Sequence, residues 1–191
     1  KVSGDKLTET DGGMKALLAT VYAAVPMEDF VFRPYTGFNA RNYDGVNGAS
    51  NIAFLSDEAA RSEGGGGITE GFDYWPYDEI RQVNIFIETV TSSQEKGLLS
   101  QADATRMIAE ARFARAYIYF GLVKRYGGVP IITEVLDNNV STDIFYPRET
   151  AQKTFEFIDK ELDEIKDDLP PRRSGSDLGR ASKGAILTLK G

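Results

Sequence analysis

Cysteine and histidine are both missing from the 191 residues. Without cysteine there is no disulfide and no thiolate to hold a metal, although this does not settle the compartment. Without histidine these residues hold no Ser-His-Asp triad, no Cys-His pair and no imidazole ligand for zinc. Acid–base chemistry would fall to carboxylates, lysine or tyrosine. Long apolar runs are missing too: the longest, AYIYFGLV at 116–123, is too short to cross a bilayer. Positive charge is in the minority, with 22 Lys and Arg against 29 Asp and Glu and a net charge of −7. Nucleic-acid phosphates would repel such a chain, and anionic lipid would not retain it by charge. A start methionine is absent. The chain opens KVSGDK and closes LTLKG inside a helical pattern, so it reads as a fragment from which any targeting segment has been removed.

What is present is a globular composition, 41% hydrophobic and 27% charged, enough for one compact domain or one lobe of a larger one. Residues 11–24 place Leu17, Leu18, Val21 and Tyr22 on one helical face and end before Pro26. Residues 25–72 keep no sustained period. They hold Phe30, Phe32, Tyr35, Phe38, Tyr43, Phe54 and Phe72 among glycines, a content of aromatics that argues against disorder. Ser56 is a candidate cap for a short helical turn at 56–62.

Periodicity returns at Trp75, where Tyr77, Ile80, Asn84, Ile87 and Val90 form a helical stripe. Ser100 and Asp103 resemble a capping box opening the next helix. Its predicted buried stripe is Met107, Ala111, Ala114, Ile118 and Leu122. Ala109, Ala116 and Gly121 beside it permit close approach, while Phe113, Tyr117 and Phe120 fill the flanks. Gly127-Gly128 ends the helix, and VPIIT at 129–133 reads as a short strand or extended piece. A further helix carries Phe155, Ile158, Leu162, Ile165 and Leu169, with KELDEIKDD at 160–168 as its solvated face. After a flexible PPRRSGSDLG linker, GRASKGAILTLKG begins one more. The plan is all-α, in paired helices with one extended segment. Ala116-x-x-x-Phe120 fits the small-then-aromatic pattern of a tetratricopeptide (TPR) unit, a weak match by itself.

Several stretches appear in a telling order: W-x-Y-x-x-I-x-x-x-N at Trp75, Tyr77, Ile80 and Asn84, then AEARFARAYIYFGLVKRYGGVPII at 109–132. Arg148 and Thr150 follow, with F-x-x-I-x-x-x-L at Phe155, Ile158 and Leu162, LPP at 169–171 and GRASKGA at 179–185. Together they resemble the SusD/RagB family of outer-membrane glycan-capturing lipoproteins. The resemblance covers roughly residues 8–191, the N-terminal portion of a longer SusD-like domain whose C-terminal part is missing. It implies a TPR-like helical-hairpin scaffold with long irregular insertions, of which 25–72 is one. It also implies a glycan ligand, a SusC-like TonB-dependent transporter as partner, and lipid anchorage at the cell outer membrane through a cysteine upstream of residue 1. No catalysis and no cofactor are implied. Trp75 and the aromatics of 112–126 become scaffold, with Trp75 as a core anchor.

Sugar binding needs exposed rings for the apolar pyranose face, and Asn, Asp, Arg or Gln for the hydroxyls. PYTGFNARNYDG at 34–45 supplies Tyr35, Phe38, Arg41, Asn42, Tyr43 and Asp44, the candidate glycan-binding residues. The bland alternative is a loop whose aromatics tuck beneath it for stability. Asp137, Asn139, Ser141 and Asp143 alternate like the start of a calcium loop, but the turn glycine is missing and Arg148 stands at the twelfth position, so no metal is expected. Two rival readings remain: a TPR-type adaptor for a protein segment, and a glycan-degrading enzyme with Asp44 and Glu58 facing across a cleft.

Overall fold

Helix α1, Asp11–Ala24, is the first described element of the structure, a computed structural model that describes residues 10–25, 75–136 and 146–191. Thr10 caps α1 by accepting from the Gly13 N–H at 3.1 Å, and the helix buries Met14, Leu18 and Val21. Leu17 and Tyr22, expected on that face, are half-buried. The described helices belong to one unit, formed by the chain up to Val25 and from Pro76 onward.

Helix α2, Tyr77–Glu95, carries Asp78 and Glu79 in its first turn, where the helix dipole favours acidic groups. Its buried row is Ile80, Val83, Asn84, Phe86, Val90 and Ser93. Of the predicted stripe, Ile80, Asn84 and Val90 are buried while Tyr77 and Ile87 are half-buried, and Val83 and Phe86 join the interior. Trp75 is 54% exposed, so the expectation of a core anchor is overturned.

Helix α3, Gln101–Tyr126, is the centre of the scaffold and spans about 39 Å at 1.5 Å per residue. Ser100 caps it by accepting from the Asp103 N–H at 3.1 Å, and its own hydroxyl donates to the Asp103 carboxylate at 2.6 Å. That bond, ahead of Arg106, holds the Asp103 carboxyl below its ordinary pKa. All five residues of the predicted stripe are buried, and so are Ala109, Ala116 and Gly121. Burial on several sides follows from the neighbours, since α3 packs against α1, α2 and α4. A helix that serves three partners cannot keep a single apolar stripe, and small residues let those partners approach.

Gly127 ends α3 at φ 70°, a conformation glycine adopts without steric cost. Gly128 is required for a different reason: a Cβ there would lie 1.7 Å from the Glu149 carbonyl oxygen. Residues 129–133 are extended but pair with no strand among the described residues, so the chain is all-α there. The Glu149 N–H donates to the Val129 carbonyl at 3.2 Å, and side chains make most of the other attachments.

Helix α4, Ala151–Ile165, is capped by Thr150, which accepts from the Lys153 N–H at 3.1 Å. It buries Thr154, Ile158, Glu161, Leu162 and Ile165. Phe155, expected in that row, is 46% exposed; the row starts one residue earlier, at Thr154. Phe157 instead meets the buried Tyr119 ring edge-to-face, with centroids 5.0 Å apart. A 3₁₀ turn at Gly175–Asp177 leads to α5, Lys183–Lys190, which packs on α4 and is capped by Ser182.

Candidate functional site

The candidate glycan-binding residues Tyr35, Phe38, Arg41, Asn42, Tyr43 and Asp44 lie outside the described residues. So do the proposed carboxylate pair Asp44 and Glu58, the calcium-like Asp137, Asn139, Ser141 and Asp143, and the turn at 56–62. What the described residues show is the scaffold on which a site would stand, and its polar interior is organised around two glutamates.

Glu161 sits on the face of α4 that the charge pattern marked as solvated, yet it is 6% exposed. The reason is its partners. Arg115 donates to Oε2 through Nε at 3.0 Å and Nη2 at 2.6 Å, and Arg112 donates to Oε1 at 3.1 and 2.7 Å. Arg112 also reaches Glu164 at 2.5 Å. Burial alone would lower the Arg112 pKa; the bonds to Glu161 and Glu164 outweigh it and raise it. Two planar guanidinium forks on one carboxylate make an arrangement that lysine could not reproduce.

The network continues into the extended segment. Arg115 Nη1 donates to Asn84 Oδ1 at 2.7 Å, which turns the Asn84 amide nitrogen toward the carbonyls of Ile132 at 3.3 Å and Glu134 at 3.0 Å. The Ile132 N–H donates to the Tyr119 hydroxyl at 2.7 Å, and the Tyr77 hydroxyl donates to the Pro130 carbonyl at 2.7 Å. Residues 129–134 are therefore a strap tied down by α2 and α3. Burial pushes the Tyr119 phenol up to about 12. Arg148 fixes the root of the strap, donating to the carbonyls of Gly128 at 2.8 Å and Tyr126 at 2.6 Å.

Glu110 of α3 is the second centre and is fully buried. It receives the Tyr22 hydroxyl at 2.6 Å and Arg180 at 2.9 and 2.6 Å. Arg173 Nη2 lies 2.9 Å away, within ion-pair range though not aligned as a hydrogen bond. The segment between α4 and α5, expected to be a flexible linker, is thus pinned to the core at Arg173 and Arg180. Desolvation, then the Glu110 bond, pushes the Tyr22 phenol well above its ordinary value.

Nothing in residue type flagged Glu110 or Glu161 as buried. The signal available was positional: Glu110 stands between Ala109 and Ala111 on a helix whose small residues imply contact on several sides. The motif residues Tyr77, Asn84, Arg148, Thr150, Arg180 and Ser182 all prove to be joints of the scaffold.

A shallow depression lined by Glu88, Thr89, Ser92, Ser93 and Lys96 draws its walls from α2 and the residue that caps its C-terminus, so it gathers no groups from different helices. Among the described residues no cluster of carboxylates is placed to hold a metal ion, and no helix is long and apolar enough to cross a membrane.

Helical hairpins about a central α3, with a side-chain-tethered strap, define the described part as the TPR-like scaffold of a SusD-like fold. The chain belongs to the SusD-like family, described as starch-binding and associating with the outer membrane, which matches residues 4–189. A SusD-like protein of Bacteroides ovatus is 33% identical over 112 residues, a match covering 57% of this chain and 19% of that protein. The solved structure of a SusD-like protein from Bacteroides fragilis superposes with a TM-score of 0.69 at 24% identity, over 97% of this chain and 35% of the other. A surface glycan-binding protein A from Bacteroides uniformis gives 0.61 at 20% identity, over 95% and 41%. The chain thus spans well under half the length of these relatives.

Proposed function

We propose that this chain is the N-terminal part of a cell-surface protein that binds an oligosaccharide or polysaccharide and passes it to a TonB-dependent, SusC-like transporter. It does so without cleaving the glycan, held to the outer membrane by an N-terminal lipid. The observation that carries this reading is the family match across residues 4–189, a family described by starch binding and outer-membrane association. The same fold in a laminarin-binding SusD-like protein, with a TM-score of 0.65 at 22% identity, is consistent with a glycan ligand. The described helices suit a carrier role, because their buried carboxylates are bound up with arginines rather than held ready for chemistry. Tyr35, Phe38 and Tyr43 are proposed as stacking platforms, with Arg41, Asn42 and Asp44 bonding the hydroxyls.

The test is affinity electrophoresis and calorimetry of the full-length protein against a panel of starch, laminarin and other polysaccharides, with a reducing-end assay in parallel. Binding without release of reducing ends is expected. Steady release abolished by Asp44→Asn or Glu58→Gln would establish an enzyme, and peptide binding with indifference to every glycan would establish an adaptor. Removing one ring, by Tyr43→Ala or Phe38→Ala, should weaken binding about fivefold, from roughly 1 kcal/mol per stacked ring. Unchanged affinity with a lowered melting point would make these rings structural.

A further inference from the structure

The Glu110 centre joins parts of the chain that are far apart in sequence. The Tyr22 hydroxyl of α1 donates to Glu110 and accepts the Ala181 N–H at 2.8 Å, across 159 residues. Arg173 Nε donates to the Ala181 carbonyl at 2.7 Å, and its Nη2 faces Glu110 at 2.9 Å. Tyr22, Ala181, Arg173 and Glu110 therefore close a ring, reinforced by Arg180, which bridges Glu110 and Asp177. The charges balance, two arginines against two carboxylates. In such a ring the loss of one member leaves buried polar atoms of the others without partners.

We infer that this ring is a two-way latch, in which docking of α1 and docking of the 173–181 segment strengthen one another through Glu110 and through the direct Tyr22–Ala181 bond. A coupling free energy is reciprocal, so a lesion on either side must be felt on the other. Arg180 hydrogen-bonds to Glu110 and Asp177 and not to α1, and Arg180→Lys keeps the positive charge that acts on Tyr22, so the variant probes transmission toward α1 through the lost bonds.

Native-state hydrogen exchange on the full-length protein tests this, with Tyr22→Phe and Arg180→Lys made separately. In Tyr22→Phe, the amides of Asp177, Leu178 and Arg180, each bonded within its own turn, should exchange about tenfold faster relative to α4, equal to about 1.4 kcal/mol. In Arg180→Lys, the amides of α1 should accelerate by a similar factor. Tyr146→Phe, which removes a surface bond to Glu134, should change neither. An effect confined to the mutated side, or a uniform rise that includes α3 and α4, would overturn the latch.

Discussion

Replacing Glu161 by alanine takes one carboxylate from between two guanidiniums. Four N–H groups lose their acceptor: Nε and Nη2 of Arg115, at 3.0 and 2.6 Å, and Nε and Nη2 of Arg112, at 3.1 and 2.7 Å. Arg112 keeps Glu164 at the surface and loses less. Arg115 is 5% exposed and is left with Asn84 and, at 3.4 Å, the Thr133 carbonyl, neither of them charged. Removing one partner of a buried pair costs about 3–5 kcal/mol, and Glu164 places this case near the lower end. With a urea slope of about 2–3 kcal/mol per molar, the unfolding midpoint of the intact protein should fall by about 1 M. Far-UV circular dichroism reads the helical signal directly. The control is Glu161→Leu with Arg115→Met, which removes both charges and should recover part of the loss, because an apolar pair needs no solvation. A midpoint for Glu161→Ala within about 0.2 M of the parent would refute the reasoning and mean that the cluster behaves as an exposed ion pair.

Two further outcomes follow from geometry and titration. Gly128→Ala puts a methyl group on the Glu149 backbone; moving backbone rather than a side chain should cost at least the roughly 1–3 kcal/mol of overpacking, and a melting point equal to the parent's would show that the strap root yields. In alkali, burial holds the Tyr119 phenol at about 12 and those of Tyr22 and Tyr77 higher still, while the unfolded chain ionises near 10. The folded state therefore retains protons that the unfolded state has released, so this contribution to stability is whole below about pH 10 and lost as pH rises from 10 through 12. Ultraviolet absorbance of tyrosinate, compared between the parent and the single Tyr→Phe variants at 22, 77 and 119, should show these three ionising together with unfolding; loss of a reversible step near pH 10 from the folded protein in any of the variants would contradict the shift of that phenol.

Much of the helical framework was legible in the sequence, because Met107, Ala111, Ala114, Ile118 and Leu122 are apolar and correctly spaced. In α4 the errors share one cause. Hydrophobic periodicity assumes that the interior is apolar, and α4 buries Thr154 and Glu161 while exposing Phe155. A pattern rule therefore chose the phenylalanine and called the glutamate's surroundings solvated. The 170–179 segment misled for a related reason. Gly, Ser and Pro do mark a turn there, but the ordering comes from Arg173 and Arg180 reaching a carboxylate far away in sequence, which no local reading can see. Extended residues 129–133 carry β-branched side chains without a strand partner among the described residues, where side chains of α2 and α3 do what a neighbouring strand would. The candidate site at 34–45 rests on residue chemistry alone.

The 159-residue span between Tyr22 and Ala181 also bears on the order of assembly. Loop closure costs entropy that rises with the logarithm of the span, about 0.6 kcal/mol for each doubling, so contacts between helices adjacent in sequence form ahead of it. Glu110 is then carried inward by helices already paired, and the arginines that neutralise it reach it afterwards. In this part of the chain the expected order of assembly is hydrophobic first and electrostatic second.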